Sequence, residues 1–162
     1  MQDVMLMNKT RRQGLLALLL VYGAVMLWLL LDRDRAAPGV DYWDQVGASL
    51  NLKPFHTIKL YVNLLTDFDN TNNMIAAVVN LFGNVAMFIP LGIFLPALWK
   101  PLRKWWTCLL CIALIMTVVE LVQLFTLRGY CDVDDLILNV LGGALGYWVW
   151  KAHAKPRSGK KK

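Results

Sequence analysis

Apolar residues dominate four long stretches of this chain, and short polar segments separate them. The stretches cover about residues 13–31, 74–99, 105–127 and 133–150. About twenty apolar residues suffice for a helix to cross the ~30 Å hydrocarbon core of a bilayer. Because lipid offers no partner to free backbone N–H and C=O groups, each crossing should be helical. The pattern predicts an all-α integral membrane protein with about four transmembrane helices, the fourth being the weakest because two acids open it.

The polar segment before the second stretch also shows helical periodicity. Apolar residues recur at helical spacing between positions 55 and 65, and His56, Lys59 and Asn63 lie on the opposite face. Such an amphipathic pattern is typical of a helix that lies in the membrane interface. We therefore predict a short interfacial helix in the first outer loop.

Composition supports one membrane domain over residues 1–162. The chain is 57 % hydrophobic and 17 % charged, whereas soluble domains average roughly 45–50 % and ~25 %. The net charge of +6 reflects a basic C-terminal tail, 151–162, rather than a nucleic-acid motif. We expect membrane lipids as partners and no nucleic acid.

The charges alternate across the predicted spans. Basic residues predominate before the first span, between the second and third, and after the fourth, whereas acids predominate in the other two segments. Because cytoplasmic loops are enriched in lysine and arginine, this predicts a multi-pass protein of the cell membrane with both termini cytoplasmic. The first stretch is too long for the apolar region of a signal peptide, so we interpret it as a retained helix.

Three polar side chains inside the spans share one depth. At 1.5 Å per residue, Asn80, Glu120 and Asn139 each lie about 10 Å below the outer end of their helix. Asn84 and Gln123 lie one turn away from Asn80 and Glu120, on the same helix faces. Polar groups in lipid are costly, so their convergence suggests a site.

Charged residues continue this cluster toward the outer face. Asp132, Asp135 and Asn139 follow one stripe of the fourth helix, and Arg128 precedes them. Together with the deeper residues they predict a pocket that opens to the outside.

Structural roles offer an alternative for most of these residues. The asparagines could hydrogen-bond between helices, Asp132 and Asp135 could stabilise a helix N-terminus, and Arg128 could reach the headgroups. Glu120 is harder to explain in this way, because a carboxyl so deep in lipid must be protonated or paired. Cys108 and Cys111 are interpreted as small packing residues.

The order and spacing of these residues are those of a known family. The matching segments are Asn51-Leu52-Lys53-Pro54-Phe55, Asn80, Asn84, Phe88-Ile89-Pro90-Leu91-Gly92, Glu120, Gln123, Arg128, Asp132, Asp135, Asn139, Gly142 and Gly146. Over about residues 50–147 the chain resembles the VanZ-like family of small bacterial membrane proteins, named for a teicoplanin-resistance protein. The resemblance implies antibiotic resistance and a task at the outer membrane face, against a lipoglycopeptide or on a lipid-linked cell-envelope precursor.

Two hypotheses about activity stay open at this point. An enzyme would use Glu120, Asp135 and Asp132 as acid and base groups, although no nucleophilic serine is evident and His56 is the only histidine that could reach them. A non-catalytic binder would hold a headgroup with the remaining site residues, namely Asn80, Asn84, Gln123, Arg128 and Asn139.

A third hypothesis is a small proton-coupled carrier that uses Glu120. It is disfavoured because no internal repeat is evident, unless the protein forms an oligomer. The spacing of the acids matches no known metal motif, so we predict neither a metal nor a cofactor.

Overall fold

The computed structural model describes residues 8–32, 36–66 and 70–154. Six α-helices follow one another in these residues: α1 Lys9–Leu31, α2 Tyr42–Ala48, α3 His56–Leu64, α4 Thr71–Leu98, α5 Trp105–Phe125 and α6 Val133–Ala154. A short 3-10 turn, Lys100–Arg103, joins α4 to α5. Two-residue strands, β1 Leu50–Asn51 and β2 Cys131–Asp132, pair in parallel. The predicted short helix is present as α3, whereas α2 and the strand pair were not predicted.

Three of the described helices, α1, α4 and α5, are long and apolar enough to cross a membrane. The fourth predicted span corresponds to α6, which has 22 residues against 21 in α5. Its first turn holds Asp134 and Asp135 and its last turn holds Lys151 and His153, so it is the less apolar helix. The all-helical membrane architecture agrees with the prediction, and the count of four spans stays a prediction.

Helices α4 and α6 are in backbone contact. A Cβ atom added to Gly142 would lie 2.0 Å from the carbonyl oxygen of Val85, and one added to Gly146 would lie 2.0 Å from that of Ile89. Contacts this short leave room only for glycine, and they explain the Gly-x-x-x-Gly spacing in α6. The two helices form the centre of the bundle.

The other two long helices cover this pair through apolar side chains. Phe88, Ile112 and Met116 are fully or almost fully buried, and Cys108 is buried among them as a packing residue. Helix α1 is the most peripheral, and its Tyr22 hydroxyl donates to the carbonyl of Met87.

The bundle has two ends of opposite charge. At the acidic end, defined by Asp32, Asp132, Asp134 and Asp135, α1 and α5 end and α4 and α6 begin. At the basic end, defined by Lys9, Lys100, Arg103, Lys104 and Lys151, the other ends of these helices meet. The Tyr147 hydroxyl donates to the Arg103 carbonyl at 2.7 Å, which joins α6 to the 3-10 turn at the basic end. In the predicted basic tail, residues 151–154 belong to α6, and residues 155–162 lie outside the described residues.

Candidate functional site

A cavity of about 500 Å³ lies at the acidic end of the bundle. We call it the polar pocket. Its polar lining comes from the segment before α4, from α4 and α5, and from the start of α6, and consists of Asn51, Lys53, His56, Thr57, Tyr61, Asn80, Gln123, Tyr130, Asp132 and Asp135. The polar pocket is therefore lined by carboxylates, an ammonium group, an imidazole and amides.

Backbone contacts hold the segment before α4 over this end of the bundle. The β1–β2 pair places Asn51 opposite Asp132, and the Cys131 N–H donates to the Ser49 carbonyl at 2.9 Å. The pair thus joins the chain before α3 to the turn between α5 and α6, about eighty residues later. One wall of the polar pocket depends on this pairing.

Asp134 fixes the start of α3. Its fully buried carboxylate accepts hydrogen bonds from the backbone N–H groups of Phe55 at 2.5 Å, Thr57 at 2.8 Å and Ile58 at 3.0 Å. The first N–H groups of a helix lack intrahelical partners, and a carboxylate also suits the positive end of the helix dipole. Phe55 adopts a left-handed conformation with φ of 62°, which turns the chain into the helix. Asp134 therefore sets the position of the pocket wall that carries His56.

Asp132 is the centre of a second hydrogen-bond network. Its Oδ2 accepts from the Thr57 hydroxyl at 2.5 Å and from the Asn51 side-chain amide at 3.0 Å, and its Oδ1 accepts from the Asp134 N–H at 2.8 Å. The side chain is buried yet lines the polar pocket. Several donors stabilise a carboxylate at such a position, as a buried charge requires.

Glu120 lies behind Asp132. The Glu120 Oε2 accepts a hydrogen bond from the backbone N–H of Asp132 at 3.1 Å, and its side chain is only 5 % exposed. Its carboxyl is within electrostatic reach of Asp135 and Asp132, but it does not line the polar pocket. A structural partner thus exists for this deep carboxyl, and its role as acid or base stays a prediction.

The three asparagines predicted for the site are placed differently. Asn84 in α4 donates from its side-chain amide to Asp135 Oδ1 at 2.6 Å, which joins α4 to α6 at the pocket. Asn80 lines the pocket, and its amide donates to the Ala76 carbonyl within α4 at 2.9 Å. Asn139 is almost fully buried outside the lining, and its Oδ1 has no partner among the described residues.

Gln123 and Arg128 hold the end of α1. The Gln123 side-chain amide donates to the Leu30 carbonyl at 2.7 Å, and Arg128 Nη1 donates to the Leu31 carbonyl at 2.8 Å. Carbonyls in the last turn of a helix lack intrahelical partners, so both contacts satisfy acceptors that would otherwise be unpaired. Gln123 also lines the polar pocket, whereas Arg128 does not.

An apolar cavity of about 180 Å³ lies between α1, α4 and α5. Its lining includes Gly23, Leu30, Phe88 and Val119 and exposes no polar surface. We call it the apolar cavity. One hydrogen-bonded pair links the two spaces, because Gln123 lines the polar pocket and donates to the carbonyl of Leu30, which lines the apolar cavity.

Sequence reasoning missed several lining residues. Lys53, Tyr61 and Tyr130 were not assigned to the site, and His56 was treated only as a residue that could reach it. The one sequence signal was the Asn51–Phe55 motif, which contains Lys53. Helix α3, whose start Asp134 holds, brings His56 and Tyr61 to the pocket, and the turn between α5 and α6 brings Tyr130.

Cys131 lies close to the carboxylates of Glu120 and Asp132 at this end of the bundle. In the described segments of the chain, no group of three or more His, Cys, Asp or Glu residues is placed to hold a metal ion. Burial raises the pKa of the Cys131 thiol, and the nearby carboxylates of Glu120 and Asp132 raise it further. Since the thiolate is the reactive form, Cys131 is a poor nucleophile.

Comparisons with known proteins show the family to which the chain belongs. The model of the VanZ/LLP1 family matches residues 18–154, which include most of α1 as well as the segment recognised from the motifs. The chain is 30 % identical over 155 residues to Protein VanZ of Enterococcus faecium, covering 96 % of this chain and 83 % of that protein. No solved structure matches. The chain belongs to the VanZ/LLP1 family of membrane proteins.

Proposed function

We propose that α6 is a fourth span and that the acidic end faces outward. The glycine contacts keep α6 parallel to the α4 axis, and the Tyr147–Arg103 hydrogen bond brings α6 to the basic end. At 1.5 Å per residue, its 22 residues extend about 33 Å. A helix that accompanies a spanning helix over this length also crosses the bilayer.

The charges of the two ends give the orientation. Cytoplasmic ends of membrane proteins are enriched in lysine and arginine, which assigns the basic end and both termini to the cytoplasm. An impermeant thiol reagent tests this assignment. Lys59→Cys should be labelled in intact cells and Lys104→Cys only after permeabilisation, both residues being exposed. The reverse order would contradict the orientation.

We further propose that the protein binds an amphiphile of the lipoglycopeptide type at the outer membrane face. The observation that carries this proposal is the hydrogen bond between Gln123, which lines the polar pocket, and Leu30, which lines the apolar cavity. An amphiphile has a polar head and an acyl chain, and the two spaces match these two parts. A cavity of ~150 Å³ is known to hold benzene, so about 180 Å³ accommodates part of an acyl chain.

The two parts of the site have different tasks. Asp135, Asn80 and Gln123 supply carboxylate and amide groups that hydrogen-bond a polar head, and Lys53 and His56 on the opposite wall bind its acidic groups. Binding the ligand at the outer face would keep a teicoplanin-type drug from its cell-wall precursor. A lipid-linked precursor has the same two-part chemistry and is the other source of such a ligand.

Two measurements test the proposal. One is the susceptibility of a Gram-positive host to teicoplanin and vancomycin, and the other is binding of each drug to the purified protein. Vancomycin lacks the acyl chain, so we expect tolerance and binding for teicoplanin only. Gly23→Leu should lower both, because Gly23 lines the apolar cavity and a leucine there would fill part of it, while its Cβ meets no atom within 4 Å. Asp135→Asn should also lower tolerance and binding, because Asp135 hydrogen-bonds the polar head of the ligand.

Gly14→Leu is the matched control for the cavity variant. It adds the same side chain to the same helix at a position outside the cavity. A Cβ added at Gly14 also meets no atom within 4 Å. Equal binding by Gly23→Leu and Gly14→Leu at equal membrane abundance would contradict the assignment of the acyl chain. Preferential binding of a lipid-linked precursor over teicoplanin would assign the site to that ligand instead.

A second candidate function is an enzyme that acts on the same ligand. The observation that favours it is the presence of His56 in the polar pocket with Asp132 and Asp135, because an imidazole is the commonest general base. Incubation of the purified protein with teicoplanin or a lipid-linked precursor, followed by mass spectrometry, tests it. Catalysis would be supported if a product forms and His56→Gln abolishes its formation while binding persists. Recovery of unchanged ligand would favour the non-catalytic binding function.

A further inference from the structure

The basic end of the bundle carries a second apolar groove. It has a volume of about 430 Å³ and lies between the end of α4, the 3-10 turn and α5. Leu95, Trp99, Pro101, Leu102 and Cys111 line it. No residue of α1 or α6 contributes to this lining, so the groove faces away from those helices. We call it the basal groove.

Cations flank the basal groove, and the sequence around it contains no carboxylate. Lys100 lies between two of the lining residues, and Arg103 and Lys104 follow directly. Residues 70–119 contain no aspartate or glutamate, nor do residues 136–154. The described part of the basic end thus presents positive charge beside an apolar groove without an acidic side chain nearby.

The surroundings of the groove are those of a lipid headgroup region. Trp105 and Trp106 begin α5 and are more than half exposed, and tryptophan is enriched at the level of lipid headgroups. Lys104 Nζ lies 6.0 Å from the centre of the Trp106 ring, where a cation and an aromatic face attract each other. The Lys104 ammonium group therefore lies beside a tryptophan of the kind found at the level of lipid headgroups, and Lys100 lies in the 3-10 turn just before it.

We propose that the basal groove is a binding site for an anionic phospholipid. One acyl chain lies against Trp99, Leu102 and Cys111, and the phosphate with its acidic headgroup is paired by Lys100 and Lys104. Charge complementarity selects this occupant over a zwitterionic lipid, because two cations without a carboxylate nearby favour a net negative headgroup. The site is distinct from the polar pocket and does not depend on the function proposed for it.

Native mass spectrometry of the full chain, purified in detergent with equal amounts of dioleoyl phosphatidylglycerol and dioleoyl phosphatidylcholine, tests the site. We expect phosphatidylglycerol to be retained several-fold more than phosphatidylcholine. The double variant Lys100→Gln/Lys104→Gln should abolish this preference, and Lys100→Arg/Lys104→Arg should keep it. A phosphatidylglycerol with a photoactivatable acyl chain should cross-link to peptides that contain Trp99, Leu102 or Cys111.

The matched control is Arg11→Gln/Arg12→Gln. It removes the same two charges from the N-terminal turn of α1, which contributes nothing to the groove. Equal retention of the two lipids by the wild type, loss of the preference in this control, or cross-links confined to other helices would each overturn the proposal. Monodisperse elution of every variant establishes that a lost preference does not reflect unfolding.

Discussion

Glu120 and Asp132 meet across the turn that joins α5 to α6. The Glu120 carboxyl accepts the backbone N–H of Asp132 at 3.1 Å, so a buried side chain of one helix positions the start of the next. Because Asp132 lines the polar pocket, a substitution at Glu120 should alter the lining of that pocket by displacing Asp132. The contact accounts for a carboxyl at this depth without a catalytic role.

The first prediction separates these two roles of Glu120. Glu120→Gln keeps an acceptor oxygen for the Asp132 N–H, so ligand binding should stay within about threefold of the wild type. Glu120→Leu leaves that N–H unpaired and should destabilise the turn by about 1–3 kcal/mol. Teicoplanin binding and thermal unfolding in one detergent measure both effects. If Glu120→Gln lost all activity while keeping its melting temperature, Glu120 would be an acid or base instead.

The second prediction concerns Asp134 and the pocket wall. Asp134→Asn has one acceptor oxygen where the carboxylate has two, so either the Phe55 N–H or the N–H groups of Thr57 and Ile58 lose their acceptor and face an NH2 group. Hydrogen bonds to charged groups contribute roughly 1.5–3 kcal/mol, and we expect a loss of about 3 kcal/mol. Hydrogen exchange should become faster at Phe55, Thr57 and Ile58.

Asp44→Asn is the control for this change. Asp44 is exposed in the first turn of α2, so its removal should cost only tenths of a kcal/mol. Unchanged exchange at residues 55–58 in Asp134→Asn would show that other contacts hold α3.

The third prediction concerns the contact between α4 and α6. Gly142→Ala and Gly146→Ala place a methyl group about 2.0 Å from a carbonyl oxygen of α4. Overpacking in a core costs about 1–3 kcal/mol, and backbone atoms cannot move aside as a side chain can. Both variants should melt at clearly lower temperature or fail to accumulate.

Gly83→Ala tests whether this loss reflects the helix contact. Gly83 also lies within a helix, but a Cβ there meets nothing within 4 Å. Alanine is favoured over glycine in helices by roughly 0.8–1 kcal/mol, so this variant should be as stable as the wild type or more stable. Equal destabilisation by all three variants would contradict the packing argument.

The fourth prediction concerns the pH dependence of Cys131. Burial first, and then the carboxylates of Glu120 and Asp132, raise the pKa of this thiol above its ordinary value. At a given pH less thiolate is present than for a free cysteine, so alkylation should be slow and its midpoint shifted to higher pH. Asp132→Asn removes one negative charge, which lowers the pKa of the thiol and increases the rate at fixed pH.

Peptide-resolved mass spectrometry distinguishes Cys131 from Cys108 and Cys111 in this experiment. A change in pKa moves the midpoint of the pH profile, whereas a change in exposure alters the plateau rate at high pH. An unchanged midpoint in Asp132→Asn would contradict the electrostatic account. Asp44→Asn removes an exposed carboxylate that does not contribute to the raised pKa of this thiol, so it should leave both quantities unchanged.

The sequence by itself determined the long helices. The apolar stretches at 13–31, 74–99 and 105–127 correspond to α1, α4 and α5 with ends that differ by at most four residues. The length and apolarity that a bilayer requires are local properties of the chain, which is why they can be read from it. The spacing of Gly142 and Gly146 can also be read from the sequence, and it is typical of a helix that packs closely against a neighbouring helix.

Only the tertiary structure decided how the polar residues are arranged. The stripe of Asp132 and Asp135 was predicted, but its partners were not, since Asn84 reaches Asp135 from 51 positions away. His56 enters the polar pocket because Asp134 binds backbone N–H groups at the start of α3. Every residue except proline has such a group, so a carboxylate that binds it leaves no trace in the spacing of side-chain types.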